Sequence, residues 1–341
     1  MKQYIFVLTF ASITDRVLPL IEKIKDNGEI IVVVGTNQLE KFFRRNTDHK
    51  VIRTHVHPDL IDRKTKHKIL TNIIKSKFEY RKLFKNIKNS NIYFTNKGCA
   101  VVIFSYIKKL SKQNKVFFFK VQSKRLGLDL PVEKSFRSYI MNWITKYLLG
   151  VETIVNNRSG VPLWSLDQKF FKNIETVEIP EGDKNIIKRY ASKIDILKGK
   201  KILIAYNDSI SCDFVDSVEF EKKLDTLWEV LEEKASGKYV IKPHPRLNKL
   251  YGKMEKCKDI VPAYIPLQLI LGHNWEYTIG FDSESLISAS KLTDSKVISL
   301  IDAVKYKDEK LKKMFRKNLL VKSDNKIKIL SKIDDLKNIL K

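Results

Sequence analysis

Residues 200–206 read Lys-Lys-Ile-Leu-Ile-Ala-Tyr, and the polar loop Asn207-Asp208-Ser209 follows directly. A short apolar run that ends at polar turn residues is typical of a buried strand. The next residues predict a helix near 219–235 and then a second strand at Tyr239-Val240-Ile241. Because a strand, a helix and a strand follow one another, we expect a parallel sheet with crossover helices.

The same pattern opens the chain and recurs along it. Residues 2–10 are predicted as a strand, a helical run follows, and residues 29–34 form the next strand. Further strands are predicted at residues 92–94, 116–119, 277–279 and 296–300, with another helix near residues 100–112. The sequence therefore predicts an α/β protein with two Rossmann-like, doubly wound domains, residues 1–190 and 191–341, joined by a Lys-rich linker around residues 187–199.

The composition is that of a soluble globular protein. At about 150 residues per domain, a chain of 341 residues is long enough for two hydrophobic cores. Hydrophobic residues make up 43% of the chain and aromatic residues 10%, which excludes a disordered or collagen-like chain. Cys99, Cys212 and Cys257 form no C-x-x-C pair, so neither a disulfide framework nor a structural zinc site is indicated, and a reducing cytoplasm fits best.

Two apolar segments each allow two interpretations. Ile329, Ile333, Leu336 and Leu340 share one face of a predicted C-terminal helix, which fits a packed helix better than a membrane-surface helix. Residues 138–149 contain Ile140, Met141, Trp143, Ile144, Tyr147 and Leu148, and we expect them to be core rather than a membrane anchor. No signal peptide or membrane-spanning helix is predicted, since no segment approaches about 18 uninterrupted apolar residues.

The formal net charge is +26 at pH 7, and its field attracts anions at physiological salt. Nucleic acid, acidic lipid and acidic glycan all remain open as partners on this ground. Basic clusters at residues 63–68 and 75–88 are the candidate contact regions for an acidic glycan or an acidic lipid. In the simpler alternative, most lysines only solvate helix faces.

The loop Lys242-Pro243-His244-Pro245-Arg246 comes directly off the predicted strand at residues 239–241. Its two prolines fix φ and disfavour a helix before them, so His244 is presented from a stiff loop between two cations. Such a histidine can donate a hydrogen bond to a phosphate or protonate a leaving oxygen, and Lys242 or Arg246 would add positive charge. Because a second His-Pro pair occurs at His57-Pro58, the pattern alone also fits a rigid turn without a function.

A second candidate loop, Gly280-Phe281-Asp282-Ser283-Glu284-Ser285, leads from a predicted strand into a predicted helix. Ser283 is a suitable N-cap residue for that helix. The backbone N–H groups of the first helical turn, together with the hydroxyls of Ser283 and Ser285, can bind an anion. The alternative is an ordinary capped helix.

In order and spacing, these segments resemble the bacterial lipooligosaccharide sialyltransferases and capsule polysialyltransferases. That family has a K-x-H-P loop, an I-P-x-E segment and a G-F/Y-x-S-S/T loop after a Rossmann-like strand. The corresponding segments here are Lys242-Pro243-His244-Pro245, Ile265-Pro266-Leu267-Gln268 and Gly280-Phe281-Asp282-Ser283-Glu284. The resemblance covers roughly residues 175–295 and implies a GT-B fold, in which two Rossmann-like domains face a central cleft.

The resemblance also implies roles for single residues. An acidic-acidic-Gly motif supplies the family's general base, and its counterpart is Pro180-Glu181-Gly182, where Pro180 replaces the first acid. Glu181 is therefore the candidate catalytic base, and His244 is the second candidate catalytic residue. The expected substrate-binding residues are Lys242, Pro245, Asn207, Asp208, Pro266, Gln268, Gly280, Phe281, Ser283 and Ser285.

Two further positions depart from the family pattern. Gln268 replaces a glutamate that is expected to contact the nucleoside, but a neutral amide can still hydrogen-bond a ribose or a base edge. Glu284 occupies a position that is usually serine or threonine, where a carboxylate would oppose a phosphate unless it is turned away. Ser283 is therefore the expected phosphate contact, and Ser285 can compensate for Glu284.

By this resemblance, the chain is expected to transfer sialic acid, or a related nonulosonic acid, from a CMP-activated donor to a glycan hydroxyl with inversion. No cofactor and no metal are expected, because no D-x-D triplet supplies ligands for a divalent cation. The enzymatic alternative is another capsule or wall-polymer transferase that uses CMP-Kdo or CDP-glycerol. The alternative from a different class is a basic nucleic-acid-binding protein, although no RRM or zinc finger is recognised.

The expected partners are a nucleotide-sugar donor and a glycan acceptor, for which an acidic glycan is a candidate. An acidic membrane surface is a further candidate partner, and nucleic acid is not expected. The expected location is the cytoplasm, with peripheral association at the inner face of the plasma membrane as a candidate refinement.

Overall fold

The computed structural model describes residues 2–8, 14–54, 69–95, 110–120, 140, 143, 147, 153–158, 161–166, 175–178, 183–207, 209–210, 213–244, 247 and 250–340. The chain divides into two compact units, Met1–Glu181 and Gly182–Lys341. Each unit contains its own parallel β-sheet.

The first unit is built on a six-stranded sheet in which all neighbouring strands run parallel. The described strands of the unit, inside and outside this sheet, are β1 Gln3–Leu8, β2 Glu29–Val34, β3 Lys50–Arg53, β4 Asn91–Thr95, β5 Lys115–Lys120, β6 Thr153–Arg158, β7 Val161–Leu166 and β8 Glu175–Glu178. The sheet order is β3-β2-β1-β4-β5-β8, while β6 and β7 form a separate antiparallel hairpin. Helices α1 Thr14–Ile24, α2 Asn37–Asn46 and α3 Ile69–Phe84 and a 3-10 turn at Lys25–Asn27 also belong to this unit. This strand order is that of a Rossmann sheet.

Aromatic rings span the middle of the first sheet. Phe6 of β1 stacks on Tyr93 of β4 with ring centroids 4.8 Å apart, and Tyr93 stacks on Phe117 of β5 at 4.8 Å. All side chains from Tyr4 to Leu8 are buried, as expected for a parallel strand whose two faces are both covered. Burial on both faces explains why β1 reads as a continuous apolar run in the sequence.

The predicted strands of the first unit are confirmed, but several further strands were missed. β3 and β8 each have four residues and charged ends, so their apolar runs are too short to identify. The β6–β7 hairpin places polar residues such as Asn156 and Asn157 inside a strand. The helix predicted near residues 100–112 falls almost entirely outside the described residues.

The second unit is built on a five-stranded parallel sheet. Its strands are β9 Ile202–Tyr206, β10 Tyr239–Pro243, β11 Tyr277–Gly280, β12 Lys296–Ser299 and β13 Lys328–Ile329, in the order β10-β9-β11-β12-β13. Its helices are α4 Lys184–Ser192, α5 Ser217–Ala235, α6 Leu267–Ile270, α7 Glu284–Leu292 and α8 Glu309–Lys322. Short 3-10 turns cover Asp195–Leu197, Gly252–Lys256, Ile301–Ala303 and Ile333–Asn338. The strand order reverses between β9 and β11, which makes this point the topological switch of the sheet.

Local sequence signals start the helices of the second unit. Asp183, Asp216 and Asp308 cap α4, α5 and α8, and each carboxylate accepts a backbone N–H from the first helical turn. Ser283 caps α7 in the same way. The predicted N-cap role of Ser283 is therefore confirmed.

The linker predicted around residues 187–199 is wrong. This stretch forms the end of α4 and the turn at Asp195–Leu197, and Ile187, Tyr190 and Leu197 are buried. Its lysines and acids lie on the exposed side, which is why the composition alone suggested a linker. α4 belongs to the second unit, which begins at Gly182.

The C-terminal segment is packed, as the preferred interpretation predicts, but it is not one helix. Ile333, Leu336 and Leu340 are at most 3% exposed and join the core of the second unit. The segment consists of β13 followed by the 3-10 turn at Ile333–Asn338. The spacing of the apolar residues predicts their burial correctly, although the backbone between them is a strand and a 3-10 turn rather than one α-helix.

The prediction that residues 138–149 are core is wrong at the positions that the structure describes. Ile140 is 40% exposed, Trp143 is 54% exposed and Tyr147 is 67% exposed, all in helical conformation. Their apolar character made burial the simpler expectation. Exposure instead leaves an apolar helix face without a described partner.

Within the described ranges, no helix has the length and apolar composition needed to cross a bilayer.

Gly272 provides a test of how α4 is attached to the second unit. A Cβ at this position would lie 2.6 Å from the backbone carbonyl of Ile187 and 2.7 Å from the backbone nitrogen of Lys188. Because backbone atoms cannot move aside, Gly272→Ala should lower the free energy of unfolding by about 1–3 kcal/mol. Chemical denaturation measures this loss.

The matched control is Asn274→Ala, since Asn274 is exposed two residues further on. An exposed substitution of this kind should change the free energy of unfolding by less than about 0.5 kcal/mol. Equal stability of the Gly272→Ala variant and the unaltered protein would show that α4 is not packed on this loop.

Candidate functional site

The candidate site lies at the carboxyl edge of the second sheet, where ligands of open parallel sheets bind. β10, β9 and β11 are neighbours there. His244 follows β10, Asn207 follows β9, and Ser283 lies three residues after the end of β11. Since neighbouring strands are about 4.8 Å apart, the loops after β10 and β11 begin about 10 Å from each other.

The His244 loop is fixed to the neighbouring strand. The His244 backbone N–H donates to the carbonyl oxygen of Tyr206 at 2.8 Å, and the Leu247 N–H donates to the His244 carbonyl at 3.0 Å. His244 itself is half-buried. The loop therefore holds this histidine at the end of β10, beside the end of β9.

Lys242 is buried, although it was predicted as a substrate contact. Only 2% of Lys242 is exposed, and its Nζ donates to the carbonyl oxygens of Pro243 at 2.7 Å and Ala263 at 3.3 Å. Burial lowers the pKa of this ammonium from 10.5 to about 7. Lys242 thus links the end of β10 to the following segment from inside the fold, and its contact with a substrate stays a prediction.

The segment that contains Pro266 and Gln268 runs beside β10. The Ile241 N–H donates to the Asp259 carbonyl at 2.9 Å, and the Val261 N–H donates to the Ile241 carbonyl at 2.8 Å. Pro266 is buried at the N-cap position of α6, and Gln268 in its first turn is half-buried. The chain that leads to Pro266 is therefore hydrogen-bonded to β10, the strand that ends before His244.

Gly280 and Phe281 shape the loop after β11 from inside the fold. A Cβ on Gly280 would lie 2.9 Å from the Ala205 carbonyl oxygen, so the close approach of β11 to β9 excludes a side chain there. The Phe281 ring is 1% exposed and packs against Phe220 with centroids 5.0 Å apart. Only the backbone of Phe281 is in a position to contact a ligand.

Ser283 and the first turn of α7 form the part of the site best suited to an anion. The Ser283 Oγ accepts the Ser285 N–H at 3.1 Å, and the hydroxyl hydrogen is still available for donation. The Glu284 side chain is 73% exposed, and its carboxylate lies 3.7 Å from the Lys322 ammonium. The carboxylate therefore lies near the C-terminal end of α8.

Asp282 joins the loops after β9 and β11, and the sequence analysis assigned it no role. Its carboxylate accepts hydrogen bonds from the Asn207 amide, from the Ser209 hydroxyl at 3.3 Å and from the Tyr306 hydroxyl. Asn207 also donates to the Ser209 hydroxyl at 2.8 Å. The side chains of Ser209 and Tyr306 are at most 3% exposed. One carboxylate therefore holds three separate segments of the chain together.

Burial raises the pKa of Asp282, while the hydrogen bonds from Tyr306 and Ser209 act in the opposite direction. Burial, and then the Asp282 charge, raise the pKa of Tyr306, so its hydroxyl keeps its proton for donation. Nothing in the sequence near Asp282 points to Tyr306, which lies in a different loop. The polar loop directly after an apolar strand was the one available signal for Asn207.

Three predicted site residues, Glu181, Asp208 and Pro245, lie outside the described residues. Their roles stay predictions. Among the residues that are described, no group of His, Cys, Asp or Glu side chains is arranged to hold a metal ion. The described part of the site instead offers backbone N–H groups, hydroxyls and a histidine, which are suited to binding an oxyanion.

Comparisons with known proteins identify the fold. The sequence matches no protein-family model and no curated protein. In structure, the chain is similar to the glycotransferase of kitacinnamycin, with a TM-score of 0.51 and 8% identity over 99% of this chain and 89% of that chain. It is also similar to the wall teichoic acid polymerase TagF, with a TM-score of 0.51 and 12% identity over 99% of this chain and 79% of that one. The two Rossmann-like units are thus those of the GT-B fold.

The buried Lys242 ammonium should make stability depend on pH. Between pH 7 and 10.5 the unfolded chain holds a proton that the folded chain has released. Unfolding therefore takes up a proton, and the free energy of unfolding rises with pH across this window. In Lys242→Met this contribution is absent, so the stability of the unaltered protein should rise relative to the variant between pH 7 and 10.

Chemical denaturation of both proteins at several pH values measures this difference in the free energy of unfolding. The contributions of titratable groups that both proteins share cancel in the comparison. Lys256→Met is the matched control, because Lys256 is exposed and should leave the pH dependence unchanged. If the free energies of unfolding of Lys242→Met and the unaltered protein differed by the same amount at every pH, the lowered pKa of Lys242 would be contradicted.

Proposed function

We propose that this chain is a glycosyltransferase that binds a nucleotide-activated sugar at the carboxyl edge of β10, β9 and β11. The observation that carries the proposal is the meeting of the His244 loop, the Asn207 loop and the Ser283 loop at the topological switch of the second sheet. The GT-B fold, which is shared with a glycotransferase, supports the same conclusion.

The donor phosphate is expected at the N-terminus of α7. Its negative charge would face the N-terminal end of the helix dipole, the Ser283 hydroxyl and the His244 ring. The two carboxylates that flank Ser283 in the sequence both have other partners. Asp282 accepts hydrogen bonds from three donors, and Glu284 forms an ion pair with Lys322. A divalent cation is not required in this arrangement, because protein groups supply the positive field.

The proposed reaction is an in-line displacement at the anomeric carbon. Glu181 takes the proton from an acceptor hydroxyl, the acceptor oxygen forms a bond to the anomeric carbon, and the bond from that carbon to the phosphate oxygen breaks. His244 donates a proton or a hydrogen bond to the departing phosphate. The product then has inverted configuration, because attack and departure occur on opposite faces.

The proposed donor is CMP-sialic acid or a related nonulosonic acid, and the proposed acceptor is a glycan, with an acidic glycan as the specific candidate. The motif order from residues 242 to 284 supports this choice. The second candidate is a wall-polymer transferase using CDP-glycerol, with CMP-Kdo as another donor. One of the similar structures is a wall teichoic acid polymerase, which keeps this candidate open.

A negative charge introduced at position 283 should abolish nucleotide binding without lowering the stability of the protein. Ser283→Asn and Ser283→Asp both keep a good N-cap, but only the aspartate places a negative charge at the proposed phosphate position. We expect CMP or CDP to raise the melting temperature of the unaltered protein and of Ser283→Asn. The melting temperature of Ser283→Asp should not change when either nucleotide is added. A thermal-shift series with CMP, CDP, UMP and GDP measures this and ranks the donors.

Ser288→Asp is the matched control, since Ser288 lies on the same helix away from its N-terminus. This variant should respond to nucleotides like the unaltered protein. Stabilisation of Ser283→Asp by the same nucleotide would exclude a phosphate at α7. Preference for CMP would favour a CMP-activated donor, which is CMP-sialic acid or CMP-Kdo, and preference for CDP would favour CDP-glycerol.

The two proposed catalytic residues should affect turnover more than donor binding. Glu181→Gln removes the base and His244→Ala removes the proton donor, so each should lower kcat by about 100-fold or more. Glu181→Gln should bind the nucleotide like the unaltered protein, because the base acts on the acceptor. Transfer assays with the donor selected by thermal shift measure both effects.

Glu178→Gln is the control for Glu181, because Glu178 is the other carboxylate just upstream and lies at the end of β8. It should retain most of the activity. Normal turnover by Glu181→Gln, or an equal loss in Glu178→Gln, would show that Glu181 is not the base.

A further inference from the structure

An exposed aromatic helix face lies in the first unit. Ile140, Trp143 and Tyr147 are helical and are 40%, 54% and 67% exposed. On an ideal helix these positions fall within about 60° of one another, so they form one face. The rings of Trp143 and Tyr147 are in contact, with centroids 4.9 Å apart. Large aromatic side chains grouped in this way on the surface mark an interaction site.

A second exposed face with the same spacing lies on α3. Lys75, Phe78 and Lys82 are exposed at positions i, i+3 and i+7, and Phe78 is 64% exposed. Tyr80 and Phe84 hold the helix to its unit from the opposite side, with stacked rings 5.7 Å apart. α3 is therefore anchored by one face and presents a phenylalanine between two lysines on the other.

The sequence around α3 is strongly positive, whereas the sequence around Ile140, Trp143 and Tyr147 is only weakly so. From residue 133 to residue 152 the sequence has three basic residues, Lys134, Arg137 and Lys146, against Glu133 and Glu152. From residue 69 to residue 88 it has six Lys or Arg residues and one acid, Glu79. Tryptophan and tyrosine favour the boundary between lipid headgroups and hydrocarbon, and lysine and arginine near that boundary are attracted to anionic headgroups.

We propose that these two faces, the 140–147 face and the 75–82 face, dock the protein on an acidic lipid surface. Charge complementarity argues for this occupant. A second copy of the chain that paired through α3 would bring two positive faces together, which costs electrostatic energy. An acidic glycan would pair with the lysines but would leave Ile140 and Phe78 without an apolar environment. An acidic bilayer offers both an apolar boundary and negative charge at its surface.

Flotation of the full chain with lipid vesicles tests the proposal. The protein should float with phosphatidylcholine vesicles that contain phosphatidylglycerol, and should stay behind with phosphatidylcholine alone. The double variant Trp143→Ser, Tyr147→Ser should partition about tenfold less, because it removes the apolar part of one face. Val218→Ser is the matched control, since Val218 is 63% exposed on α5 of the other unit and should not change partitioning.

Charge reversal tests whether the binding is local. Lys75→Glu with Lys82→Glu should lower partitioning by about tenfold or more. The control is Lys256→Glu with Lys258→Glu, which makes the same change in net charge at exposed positions of the second unit. Equal losses in the two double variants would overturn the proposal, because the attraction would then be diffuse.

The fluorescence of Trp143 gives an independent reading. Vesicles with phosphatidylglycerol should shift the tryptophan emission to shorter wavelength, and the shift should disappear in Trp143→Phe while flotation remains. A shift that persists in Trp143→Phe would contradict insertion of this residue. Concentration-dependent dimerisation without vesicle binding, or retention on an acidic polysaccharide without flotation, would assign the faces to those partners and overturn the proposal. None of these readings requires a nucleotide donor, so they succeed or fail independently of the proposed function.

Discussion

The candidate site depends on the carboxylate of one partly buried residue, Asp282. Asp282 follows β11, and its oxygens accept hydrogen bonds from Asn207 and Ser209 after β9 and from Tyr306 further along the chain. Tyr306 is itself held in place because the Lys307 N–H donates to the Phe214 carbonyl at 2.9 Å. Buried polar groups of this kind are costly unless they are paired, so the network fixes how these loops meet. It also fixes where the Asp282 carboxylate lies, one residue before the cap of α7.

Lys242 has a comparable structural role on the other side of β9. Its ammonium connects the carbonyl oxygens of Pro243 and Ala263, and thereby ties the strand that ends before His244 to the segment that leads to Pro266. The Lys242 side chain is therefore buried and fixed in position, whereas Lys75 and Lys82 of α3 are exposed.

Much of the fold was predictable from the sequence, because it depends on local patterns. The strand at 202–206 is a continuous apolar run because both faces of a parallel sheet are covered, and Ser283 is recognisable as a helix cap from its position before an apolar stretch. Strands such as β3 were missed, since a four-residue strand with charged ends carries too little apolar signal. The helix α4 was mistaken for a linker because its exposed side is rich in charge.

The site was only partly predictable, because its key contacts join residues far apart in the chain. Asn207 and Asp282 are 75 positions apart, and no local pattern identifies that hydrogen bond or the role of Tyr306. The burial of Lys242 was hidden for the same reason, since its second carbonyl partner lies 21 residues away. A crystal structure of the protein with a bound cytidine nucleotide tests the proposed site most directly. We expect a phosphate oxygen within hydrogen-bond distance of Ser283 and the first-turn amides of α7, with the His244 ring beside it. A phosphate bound away from the carboxyl edge of β9 and β11 would show that this edge is not the donor site.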